Sequence, residues 1–92
     1  MIFTSNDKRE ARKEEKRILA NEFDKQRFKD IRKRIGQELK AQVYLYYDVC
    51  FDYYPKPFYV AEIIADEFEK IYMVARPNVK EIFEELERYL DE

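Results

Sequence analysis

The 92-residue chain has no histidine and no tryptophan, a single glycine, a single cysteine and three prolines. Without histidine, the commonest general base and metal ligand near neutral pH is missing. A Cys/His zinc site cannot be assembled around Cys50 alone. Thr4 and Ser5 are the only aliphatic hydroxyls, and both lie at the N-terminal end. Cys50 stands between Asp48 and Asp52, whose negative charges oppose thiolate formation. The carboxylates show no calcium-loop spacing. The expectation is a non-enzymatic protein with no cofactor and no metal. One glycine, Gly36, rules out a glycine-rich phosphate loop and leaves few turns of positive φ, which favours helices over hairpins. A lone cysteine fits a reducing compartment. No apolar run approaches the ~20 residues of a membrane span, and residues 1–7 do not resemble a signal peptide. A cytoplasmic location without membrane contact is expected.

What the chain does contain is charge and rings. Charged residues make up 41% of it and aromatics 16%, so many side chains must stay wet while a few large ones supply the burial. The net charge of −2 conceals a division. Residues 1–42 carry thirteen Lys/Arg against eight Asp/Glu, a net +5. Residues 43–92 carry five against twelve, a net −7. Such asymmetry speaks of binding partners rather than of fold.

The first half reads as a long basic helix. From Asp7 to Arg17 the largest apolar residue is Ala11, so residues 1–17 are expected to project as a helical extension. Ile18, Leu19 and Phe23 form one apolar patch, and Phe28, Ile31, Ile35, Leu39 and Val43 form a second stripe on another helix face. A break near Asp24–Gln26 would reconcile the two. Residues 43–54 are ambiguous. Apolar and aromatic residues at every odd position from Val43 to Tyr53 signal a strand, yet Leu39, Val43, Tyr46 or Tyr47, Cys50 and Tyr53 or Tyr54 continue the helical stripe. With no convincing second strand, helix is the favoured reading; a strand would pair with its own copy in a dimer. Pro55 and Pro57 interrupt any element. Beyond them, Val60, Ile63, Ile64, Phe68, Ile71 and Val74 suggest one helix, and Val79, Ile82, Phe83, Leu86, Tyr89 and Leu90 a second, opened by an Asn78/Glu81 cap. The predicted fold is therefore mainly α: a single domain with a basic N-terminal helix and an acidic helical hairpin over 58–91.

Two candidate surfaces follow. A basic one comprises Arg12, Lys13 and Lys16 with Arg27, Lys29, Arg32, Lys33 and Arg34, an array suited to neutralising phosphates without reading bases. A protein-binding one combines Tyr44, Tyr46, Tyr47, Asp48, Asp52, Tyr53, Tyr54 and Tyr59 with acidic rows Glu62/Asp66/Glu69 and Glu81/Glu84/Glu85. Desolvated tyrosines supply contact area, and charge speeds encounter. In general style the chain resembles small bacteriophage accessory proteins: short, rich in Lys, Glu, Tyr and Phe, with no catalytic equipment. That resemblance rests on composition and on no motif. It implies an inhibitor or regulator that binds a host protein. The competing expectation is an RNA- or DNA-binding protein that uses the basic helix, with the acidic half dimerising.

Overall fold

A computed structural model of the chain describes residues 5–48, 58–66 and 69–92. Its fold is α+β, not mainly α: three helices and a three-stranded antiparallel sheet. In chain order the elements are α1 (Ser5–Ile18), α2 (Glu22–Arg34), a π-helical turn (Ile35–Leu39), β1 (Gln42–Asp48), β2 (Phe58–Ile64), β3 (Lys70–Arg76) and α3 (Val79–Asp91).

The basic half does break, but at Leu19–Asn21 rather than at Asp24–Gln26. Asn21 decides the position. Its extended backbone and its side-chain oxygen, which accepts from the Phe23 and Asp24 amides at 2.7 and 3.3 Å, start a new helix. Glu22 and Asp24 then sit at the positive end of that helix. Phe28, Ile31 and Ile35 are buried on one face, as their spacing predicts. The stripe does not run on into Val43. The π-helical turn widens the last coil, and Lys40 takes the left-handed conformation (φ 53°) that ends it.

The favoured helix over 43–54 is overturned: residues 42–48 form β1, and residues 49–57 lie outside the described part. The helical hairpin over 58–91 is overturned as well, since its first half is β2 and β3 and only its second half is helix. β2 is the second strand that the sequence did not reveal. It pairs antiparallel with β1 (Val43 opposite Ile63, Leu45 opposite Ala61) and with β3 (Ala61 opposite Val74) in the order β1-β2-β3. Apart from Glu62, Phe58–Ile64 is apolar on both faces because it is the central strand. A short continuous apolar run looks the same as one face of a buried helix. β1 therefore has its partner within the chain and does not require a second copy.

One face of the sheet carries Val43, Leu45, Ala61, Ile63 and Val74, packed against Phe28, Ile31 and Ile35 from α2 and its extension and against Ile82, Phe83 and Leu86 from α3. Phe28 and Phe83 meet at 5.9 Å between ring centroids. Tyr72 of β3 stacks on Tyr89 of α3 at 4.1 Å. On the other face Tyr44 and Ile64 bury against Ala11 of α1. Asn78 caps α3 by accepting from the Glu81 amide and donating to its carboxylate.

Of the segment expected to project, residues 5–17 are thus laid against β1, and residues 1–4 lie outside the described part. Arg12 Nη1 donates to the Val43 carbonyl at 2.9 Å, and Glu14 accepts from the Tyr47 amide at 3.3 Å. Both are backbone groups that β1 does not use toward β2. Helix α1 closes the outer edge of β1, a place where exposed strands otherwise invite pairing with other chains.

Candidate nucleic-acid interface

The cations of the two basic helices divide into two groups. Four of the six arginines are engaged by other groups of the chain. Arg12 bridges Glu15 (3.1 Å) and the Val43 carbonyl while its guanidinium lies 4.3 Å from the Tyr44 ring centroid. Arg32 pairs with the same Glu15 and covers the Phe28 ring at 4.8 Å. Arg27 makes a two-pronged bond to Glu87 of α3 (2.6 and 3.3 Å) over the Phe83 ring. That bond, ahead of the opposing desolvation, pushes the Arg27 pKa up. Arg34 holds Glu38 and Asp91, each at 2.9 Å. A planar, weakly hydrated guanidinium suits such semi-buried bridges, whereas an ammonium keeps its water.

Apart from the half-buried Lys8, the lysines of these helices face outward. Lys16, Lys29 and Lys33, with Arg9 and Arg17, are exposed and have no ion-pair partner among the described residues. Lys13 touches Glu10 at only 3.7 Å, and Lys25 touches Glu22 at 3.2 Å, both pairs in open solvent. Such pairs contribute about 0–1 kcal/mol and yield easily to a competing anion. Spacings of three and four place Arg9, Lys13 and Lys16 along one side of α1, and Lys25, Lys29 and Lys33 along one side of α2. The two rows meet where Lys16 and Lys25 flank a cleft of about 380 Å³ floored by Glu15 and Leu19. Of the eight cations singled out from the sequence, Lys13, Lys16, Lys29 and Lys33 therefore belong to a solvent-facing array. Arg12, Arg27, Arg32 and Arg34 brace the fold. Arg9, Arg17 and Lys25 complete the array: Arg9 and Arg17 belong to the same basic stretch of sequence as Lys13 and Lys16, and the helical phase of Lys25 relative to Lys29 was the signal that could have added it.

The tyrosine and carboxylate surface is not assembled as expected. Tyr44 is buried beneath Arg12, and its hydroxyl donates to Gln42 at 2.7 Å. Tyr46 and Tyr59 are half-buried. Tyr47 is 38% exposed, its ring 5.0 Å from that of Tyr59. Glu62, placed on an exposed helix row by its spacing, is fully buried in the central strand. One of its oxygens meets Lys70 Nζ at 3.3 Å, and Oε2 has no hydrogen-bond partner. Asp66 and Glu69 are exposed in the β2–β3 connection. Glu81 belongs to the α3 cap, Glu85 pairs with Arg76 and Arg88, and Glu84 alone of that row stands exposed. Asp48 ends β1, while Asp52, Tyr53 and Tyr54 lie outside the described residues. The acidic rows do not form one surface because half of them sit on strands and in a turn, not on a helix.

Among the described residues no helix is long and apolar enough to cross a membrane, and no group of three or more potential metal ligands is found. Comparison with protein-family models, with curated proteins and with solved structures gave no match.

Proposed function

We propose that this chain is a non-enzymatic binding protein that docks on the phosphate backbone of nucleic acid through the outer sides of α1 and α2. One observation carries the reading: the array of Arg9, Lys13, Lys16, Arg17, Lys25, Lys29 and Lys33 faces solvent, and five of the seven (all but Lys13 and Lys25) have no ion-pair partner among the described residues, although the chain as a whole is acidic. Cations that displace the counterions of phosphates give binding that weakens steeply with salt. Fluorescence anisotropy with labelled oligonucleotides at rising salt tests it. The log–log slope should correspond to several phosphate contacts, at roughly 0.7–0.9 per contact. Reversal of Lys16, Lys29 and Lys33 to glutamate should abolish binding. Those positions are chosen because reversing Arg32 or Arg34 would break ion pairs of the fold. Absence of binding at ~50 mM salt, where phosphate contacts are strongest, would remove the reading.

A second reading is a phage-type inhibitor of a host protein. It draws on the compositional resemblance and on apolar side chains left in solvent, chiefly Phe23 at 77% exposure near the start of α2. A Phe23→Asp variant that keeps the fold but loses a captured host protein would favour it; a variant that captures the same protein equally well would count against it.

A further inference from the structure

Where β1 ends, α1 and the sheet enclose an open cleft of about 270 Å³ lined by Glu14, Arg17, Ile18, Tyr47 and Tyr59. Its contents differ from those of the lysine array. Tyr47 is 38% exposed, and its ring is braced from the side by Tyr59, whose ring is tilted 58° to it at 5.0 Å. Ile18 adds an apolar wall. The Tyr47 and Tyr59 hydroxyls have no hydrogen-bond partner among the described residues, and Arg17 has no ion-pair partner among them. Glu14 accepts from the Tyr47 amide, which fixes the strand end beneath the ring. Arg17 lies one helical turn from Lys13, so the cationic row of α1 leads directly to the cleft.

From this juxtaposition of an exposed, braced tyrosine with a guanidinium that has no ion-pair partner among the described residues, at the end of the cationic row, we infer that the cleft receives an unpaired nucleobase and that the ligand is single-stranded nucleic acid. The inference rests on the phosphate-docking reading and names its substrate class. A flat π-surface stacks any base, and the strand's phosphates track the cations beside it. The rim groups, two phenolic hydroxyls, one guanidinium and one carboxylate, can meet the edge of a stacked base. A duplex keeps its bases inside the stack and cannot use the ring.

The test compares a single-stranded oligonucleotide of about a dozen nucleotides with the duplex of the same sequence, at one salt concentration, using the full chain. The expected result is tighter binding of the single strand, with tyrosine fluorescence quenched by it and not by the duplex. Tyr47→Ala should weaken single-strand binding about 5- to 140-fold, the worth of one stacked base, and leave duplex affinity and the salt slope unchanged. Tyr47→Phe keeps the ring and should bind nearly as the parent does, which guards against a general loss of fold in the alanine variant. Equal affinity for both forms, or a silent Tyr47→Ala, overturns the cleft assignment while phosphate docking stands. Failure of both forms to bind at low salt removes phosphate docking itself and the cleft assignment with it.

Discussion

Helices α1 and α3 both pack on the sheet, yet apolar burial dominates the hold on α3, which ion pairs from Arg27, Arg34 and Arg76 supplement, while polar contacts dominate the hold on α1. Helix α3 presents Ile82, Phe83 and Leu86, all fully buried, and adds the Tyr72–Tyr89 stack. Helix α1 offers Ala11 and, at its end, Ile18. The rest of its hold is polar: Arg12 on the Val43 carbonyl, Glu14 on the Tyr47 amide, and Glu15 clamping Arg12 and Arg32. Charge screening by salt does not weaken apolar burial, whereas it does weaken part-buried ion pairs. The difference teaches that the cationic row of α1 rides on a helix whose attachment is itself electrostatic. The structural core and the adjustable part of this small protein are separate elements.

The largest break in that comparison comes from Phe83→Ala. Removing a fully buried ring that packs on Phe28 should lower global stability by about 3–5 kcal/mol, read as a shifted urea midpoint at unchanged slope. Glu15→Ala comes next. It leaves Arg12 and Arg32 without their shared carboxylate and should weaken α1 docking by about 1–3 kcal/mol. Hydrogen exchange should quicken across α1 and at the β1 edge while α3 keeps its protection, and ~1 M salt should move the parent protein in the same direction. Equal acceleration in α3 would show that the two helices are not independently held.

The smallest effect sharpens the α3 side. Burial raises the pKa of Tyr72 above its ordinary value of 10.0, and the nearby Glu85 charge adds to the rise while Arg76 opposes it. The folded state therefore keeps this proton to higher pH than the unfolded chain does. The resulting stability is intact below about pH 10 and declines as pH climbs through the folded value. Thermal melts between pH 9 and 11.5 should show that decline, and Tyr72→Phe should flatten part of it.

Much of the helical structure was legible from local chemistry. The α3 stripe and its Asn78 cap, the Phe28–Ile31–Ile35 face and a break in the basic half all follow from spacing and capping preference. The break was placed a few residues late because the change of apolar phase was weighed above Asn21, a strong N-cap. The sheet was not legible. Val60, Ile63 and Ile64 fit a helix face as well as they fit a strand buried on both sides. The candidate interface was half legible. Sequence located the cations, but it could not tell which would turn inward, because Glu87, Asp91 and Glu15 reach Arg27, Arg34 and Arg32 from distant or separate elements.

By itself the sequence determined the inventory: no histidine, a lone cysteine, opposite net charge in its two halves, and apolar periodicity sufficient for α2 and α3. Those properties are local or additive, so order along the chain suffices to read them. Only the tertiary structure decided that Phe58–Ile64 and Lys70–Arg76 are strands, that Glu62 is buried, that Arg12, Arg27, Arg32 and Arg34 brace the fold while Lys16, Lys29 and Lys33 face solvent, and that Tyr47 stands beside Arg17. Each of these depends on which residues distant in sequence are brought into contact, and hydrogen-bonded strands and ion pairs take their stability from that contact.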